Sequence, residues 1–271
     1  MSLGMTPMLS WGQQAEQRAE PPQAALGSAA NGLEANPNRP SSSNSADVLA
    51  PGVLQWEYGF SKEWGTAGDR QSALGGELRF GVWRNVEFRW GGNSLVNDTN
   101  VAGHAQGFGD QYFSGQVKLR EQSERAPALA LSYAIKVPTA DASQGLGSGR
   151  VDHSWTFLAS KEVHKITCDF NAGYQIVGRE NANGHDQNAI LILTFQRTLY
   201  GPLAAIGEIG GETRLGAQNP AFATTLWALT YRVHRQVVLD AAFDVGITQG
   251  APHKRILFGL TYAIANLYPG R

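Results

Sequence analysis

One cysteine, Cys168, stands in 271 residues. That excludes an intramolecular disulfide, a CxxC redox pair and a thiolate zinc cluster. The six histidines, His104, His153, His164, His185, His234 and His253, are scattered, with no HxH or HExxH spacing to hold a metal. Lys and Arg number 22 against 23 Asp and Glu. With no basic excess to neutralise phosphates, nucleic acid is not an expected partner. No apolar run reaches the roughly 18 residues of a transmembrane helix. The glycine-rich "GLGSG" (Gly145 to Gly149) lacks the GK[ST] ending of a phosphate loop, and no helix follows it. No GxSxG elbow is present, and strand alternation sends His153 and Ser154 to opposite faces. No catalytic residue, cofactor or metal is therefore expected, and the chain reads as a non-enzyme.

The chain has two textures. "MSLGMTPMLSWGQQA" is mildly apolar with no Lys or Arg before it, which leaves two readings open: the tail of a signal peptide or a plain disordered end. Residues 11–48 are rich in Ala, Gln, Asn, Pro, Ser and Glu and follow no stable period. Residues 1–48 are thus expected to form a disordered tail. Residues 49–268 are expected to form the folded unit.

From about residue 50, apolar and polar residues alternate at the period of a strand. In "VLQWEYGFSKEW", Leu54, Trp56, Tyr58 and Phe60 oppose Gln55, Glu57, Gly59 and Ser61. In "NVEFRW", Val86, Phe88 and Trp90 oppose Glu87 and Arg89. The pattern runs to "ILFGLTYAI", where Phe258, Leu260 and Tyr262 oppose Gly259 and Thr261. About twelve such segments are present, each long enough to cross a bilayer when tilted.

Alternation alone does not separate a soluble β-protein from a membrane barrel. Three features favour the membrane. Aromatics (Trp56, Tyr58, Trp90, Tyr174, Trp227, Tyr231, Tyr262) recur on the apolar face, as interfacial girdles require. The other face mixes small residues with balanced charges, which suits a closed lumen. Long connections alternate with tight ones such as "RN", "VH" and "HR", the arrangement of an outer-membrane barrel. The expected fold is all-β: a single antiparallel transmembrane β-barrel of about twelve strands.

The charged residues of the polar face are the candidate lumen lining. They are Glu57, Glu77, Arg79, Glu87, Arg89, Lys118, Arg120 and Lys136 in the first half. Asp152, Asp169, Glu208, Arg232, Asp240 and Asp244 follow. Two roles compete for them: ion pairs between neighbouring strands that close the lumen, or a ring of charge that sets selectivity.

"GFGD" (Gly107 to Asp110), "GQVKLR", "PALALSYAIKVPTADASQGLGSGRVDHSWTFLASKE" and "NAGY" (Asn171 to Tyr174) together resemble the outer-membrane transporter family linked with the meta-pathway of phenol degradation. The likeness spans roughly residues 50–265. Its most specific part is Lys136, Pro138, Thr139, Gly147, Gly149 and Asp152. The resemblance implies a Gram-negative outer membrane and passage of small solutes, aromatic or apolar ones among them. The expected partners are outer-membrane lipid and one such solute, and the expected state is a monomer. The leading expectation is a channel for passive uptake; the alternative is a structural or adhesive barrel closed by salt bridges. Residues 138–151 are expected to form an extracellular loop that caps or narrows the pore, with Lys136 and Asp152 paired at its base.

Overall fold

The computed structural model describes residues 33–65, 68–100, 103–179, 183–213 and 221–268. The reading of the first fifteen residues lies outside them. Thirteen strands are present among the described residues. The first five are β1 (Val53–Trp64), β2 (Arg70–Trp83), β3 (Val86–Asn100), β4 (Gly103–Gly107) and β5 (Gln111–Arg120). Next come β6 (Ala128–Val137), β7 (Asp152–Val163), β8 (Ile166–Gly178) and β9 (His185–Tyr200). The last four are β10 (Leu203–Glu212), β11 (Phe222–His234), β12 (Val237–Gly246) and β13 (Lys254–Asn266).

All pairings are antiparallel and link neighbours in chain order except that β3 pairs with β5 past β4, and β1 pairs with β13 to close the cylinder. Twelve strands make the barrel wall. The thirteenth, β4, pairs only with the upper part of β3 and raises a hairpin above the wall. At about 3.3 Å per residue and a tilt near 45°, a twelve-residue strand such as β1 rises about 28 Å, the thickness of a bilayer core.

The barrel is inside out. Trp227 is 64% exposed, Leu191 57% and Phe258 52%, whereas Arg79, Glu87 and Gln116 are completely buried. A water-soluble β-barrel would show the reverse distribution. Apolar side chains on the outer wall find their solvent in lipid, and polar ones find partners in the interior.

The two ends differ as expected. One end carries the tight turns at 84–85, 164–165, 201–202 and 235–236, the 121–127 connection, and the start of β1 beside the end of β13. The other end carries the longer connections. At the tight 164–165 turn, His164 and Lys165 both take positive φ (51° and 65°), which matches the right-handed twist of the flanking strands.

The tail does not run free through residue 48. Residues 33–52 form a strap that enters the barrel at the tight-turn end, crosses the interior and returns to start β1. The Ala35 amide donates to the Arg235 carbonyl (2.9 Å), and the Gly52 amide donates to that of Gly81 (2.8 Å). Ala46 is fully buried against Ala128, Ala130 and Leu158, while Ala35 packs on Val238 and Ala263. Gly52 makes the last bend at φ 85°, where a Cβ would lie 2.7 Å from the Tyr268 amide nitrogen.

Candidate functional site

The interior of the barrel gathers the chemistry of this chain. Alternation along β1, β2 and β3 turns Glu57, Glu77, Arg79, Glu87 and Arg89 inward, and the register sets Arg79 directly opposite Arg89. The like-charged guanidiniums are separated by carboxylates. Arg79 Nη1 donates to Glu57 Oε1 at 2.7 Å, while its Nε and Nη2 donate to the two oxygens of Glu87 at 2.8 and 3.0 Å. Arg89 Nε lies 2.6 Å from Glu87 Oε1, and its two terminal nitrogens donate to Asn44 Oδ1 and Gln116 Oε1, both at 2.8 Å. Glu77 sits 3.6 Å from Arg89 and accepts from the Tyr112 hydroxyl at 3.2 Å. Burying such charges is tolerable only because nearly every lone pair has a donor.

The strap supplies many of those donors. Glu57 accepts from the backbone amides of Asn38 (3.2 Å) and Arg39 (3.0 Å). Glu208 accepts from the Ser42 amide (3.0 Å), the Ser41 hydroxyl and the Thr194 hydroxyl (2.9 Å). Arg39 reaches Asp240 at 3.3 Å, Asp47 reaches Lys118 at 3.4 Å, and the Leu49 amide donates to Glu87 at 2.7 Å. Asn44 exchanges two hydrogen bonds with the Asn171 side chain, both at 2.8 Å. Arg232 donates to the Ala35 carbonyl at 3.1 Å, and Asp169 accepts from the Ser160 hydroxyl.

Burial is uneven towards the long-loop end, where Asp244 and Asn188 are still buried. Ser160, Asn171 and Thr230 are buried at strap level, while the inward Ser154, Gln175 and Thr224 higher on the same strands are only half-buried. There Asp244 pairs with Arg255 at 2.8 Å, and Glu212 accepts from Asn188 at 2.9 Å. The base of the 138–151 connection is tied at this level. Lys136 lies 2.6 Å from Asp152, the pairing expected from sequence, and 3.1 Å from Asp110 of the "GFGD" stretch. Asp110 also accepts from the Ala140 amide (3.0 Å), and the Thr139 hydroxyl donates to the Gly109 carbonyl (3.1 Å). A Cβ on Gly147 would stand 2.8 Å from both Asp110 oxygens. The motif therefore fastens a loop. Beyond its base the loop is exposed, with a 3-10 turn at Ala142–Gln144 capped by Asp141. Hydrogen bonds from the Ser143 side chain and amide hold the Asp141 carboxyl below its usual range.

Thirteen of the fourteen candidates thus meet interior, strap or loop-base partners, and Arg120 does not. A bulge between Lys118 and Arg120 breaks the alternation, and the exposed Arg120 donates to the Pro127 carbonyl outside the lumen. Sequence reasoning missed Arg39, Asp47 and Asp110; it put Gln55, Gln116 and Thr194 on the polar face but did not single them out as partners. It also missed an apolar stretch of inner wall, where Ile206, Leu226, Ala228, Ala242 and Leu257 pack together on β10 to β13.

A family model described as "Putative MetA-pathway of phenol degradation" matches residues 37–242, more than half of the chain and including most of the strap. No curated protein matches the chain. Among solved structures, the COG4313 outer membrane channel from Pseudomonas putida F1 aligns with a TM-score of 0.65 at 12% identity, over 83% of this chain and 100% of that one. The NanC porin aligns with a TM-score of 0.53 at 7% identity, over 78% of this chain and 100% of that one. At such identities the likeness is one of fold.

Proposed function

This chain belongs to the phenol-degradation meta-pathway family of outer-membrane barrels, and on that premise we propose that it is a channel for passive uptake of a small solute. One observation carries the reading. The interior is polar and sealed from lipid, and at the tight-turn end it is filled by a segment that is not part of the wall. The strap is held by hydrogen bonds and ion pairs, which can exchange for water as the segment shifts. Inner-wall residues Ile206, Leu226 and Leu257 are buried against one another within a polar lumen; a rearrangement of the interior that uncovers them would give non-polar surface suited to a small aromatic or aliphatic solute carrying a polar group.

The alternative, a structural barrel with a permanently closed lumen, draws on the buried Glu57–Arg79–Glu87–Arg89 network. Planar-bilayer recordings separate the two. The full chain should show a small conductance, and the chain lacking residues 33–48 a several-fold larger one. Absence of conductance from both, with no solute flux into liposomes, would establish the closed barrel instead.

A further inference from the structure

The long-loop rim of β13, β1 and β2 carries cations on its outer face. Trp64 ends β1 and is paired across the sheet with Lys254 on one side and Arg70 on the other. The Lys62 and Lys254 ammonium groups stand 5.3 and 5.0 Å from the centre of the Trp64 ring. Alternation places Lys62, Trp64, Arg70 and Lys254 on the same side of the wall as the exposed Trp56, Leu74 and Phe258. That side faces lipid.

Inside the barrel, Arg79, Arg89 and Lys136 each have carboxylate partners. Among the described residues, Lys62 and Lys254 have none. Arg70 borders a dip at the mouth with Glu63, Asp69 and Asp98, so its charge is shared with that dip. Neither lysine lines it. Two ammonium groups drawn to one ring repel each other, and the ring returns only about 0.5–1 kcal/mol to each at an exposed site. A bound anion would turn that repulsion into attraction. Below the cations on the same face lie Phe60, Ile256, Phe258 and Leu74. The order is apolar column, indole, then positive charge, which complements an anionic lipid with its chains down and its headgroup at the rim. The long-loop end of an outer-membrane barrel faces outward, so the lipid belongs to the outer leaflet.

We propose that Lys62, Trp64 and Lys254, flanked by Arg70, seat the phosphorylated headgroup of an outer-leaflet glycolipid, with acyl chains lying along Phe60 and Phe258. The test is native mass spectrometry of the full chain in neutral detergent, titrated with bisphosphorylated lipid A or its dephosphorylated form. The wild type should retain the phosphorylated form about tenfold better. The double variant Lys62→Gln/Lys254→Gln should lose that preference, at about threefold or about 0.7 kcal/mol per lysine, while Lys165→Gln at the opposite end should keep it. Heat-shifted electrophoretic mobility reports folding. If the double variant fails to fold, Lys254→Gln alone should weaken retention about threefold. Equal retention of the two lipids, equal retention by wild type and the lysine variants, or competition by millimolar inorganic phosphate alone would each overturn the proposal.

Discussion

Replacing Arg79 by methionine tests whether the interior is held by charge pairing. The side chain is completely buried and makes four hydrogen bonds: one to Glu57, two to Glu87 and one to the Asn36 carbonyl. Removing one partner of a buried ion pair costs about 3–5 kcal/mol, because the other charge stays in place without compensation. The lower end applies here. Glu87 keeps Arg89 and the Leu49 amide, Glu57 keeps Gln55 and the strap amides, and the Asn36 carbonyl keeps a donor in Gln55. Methionine also refills part of the volume. The expected loss is therefore about 3 kcal/mol, read as the shift in urea unfolding of the protein in lipid vesicles followed by tryptophan emission. Adding Glu57→Gln to Arg79→Met should restore about 1–2 kcal/mol by removing the orphaned charge. A single variant within 1 kcal/mol of wild type, or a double variant less stable than the single one, would refute the reasoning.

Three further outcomes follow from the geometry. A Cβ on Gly259 would fall 2.3 Å from Arg39 Nε; Gly259→Ala should therefore displace Arg39 from Asp240 and raise conductance, and Arg39→Ala should do the same. Replacing His164-Lys165 by Asn-Gly relieves two left-handed non-glycine residues and should raise stability by about 1 kcal/mol in the same urea assay. Deleting residues 141–148 should leave the conductance of the full chain unchanged but raise that of the chain lacking residues 33–48. Resistances in series add, and the strap dominates while it is present; a clear rise in the full chain would place the constriction at the loop.

The wall was legible because a strand that separates lipid from a polar lumen must alternate strictly. Glu57 between Trp56 and Tyr58, or Arg89 between Phe88 and Trp90, fixes facing without any knowledge of the partner strand. Where that constraint lapses, so does legibility. The β3–β4 hairpin stands above the wall, so "NSLVNDTNVAGHAQ" has no apolar face to betray two strands. On β10 to β13 the inner wall is itself apolar in part, and Leu226 beside Trp227 gives no contrast of polarity to read. Arg120 was misplaced because a bulge shifts parity by one, and nothing in "KLREQ" announces it.

The strap was hidden for a different reason. Residues 33–48 have too little apolar surface to offset the entropy of ordering, which is why such composition reads as disorder. That criterion assumes the segment must bring its own driving force. Here the wall provides it, as a cavity of acceptors waiting for donors. A signal was present in the candidate residues themselves, which include more carboxylates than cations. Among the described residues, Glu208 has no cation partner, and Asp240 finds one only in Arg39 of the strap. Buried carboxylates must be satisfied, so the surplus called for donors from outside the wall. Backbone amides, free of any sequence signature, supply several of them: Asn38, Arg39, Ser42 and Leu49. The asparagines and serines around them keep the segment polar enough to lie there. What looked like a tail without a partner is the complement of a wall with too much negative charge.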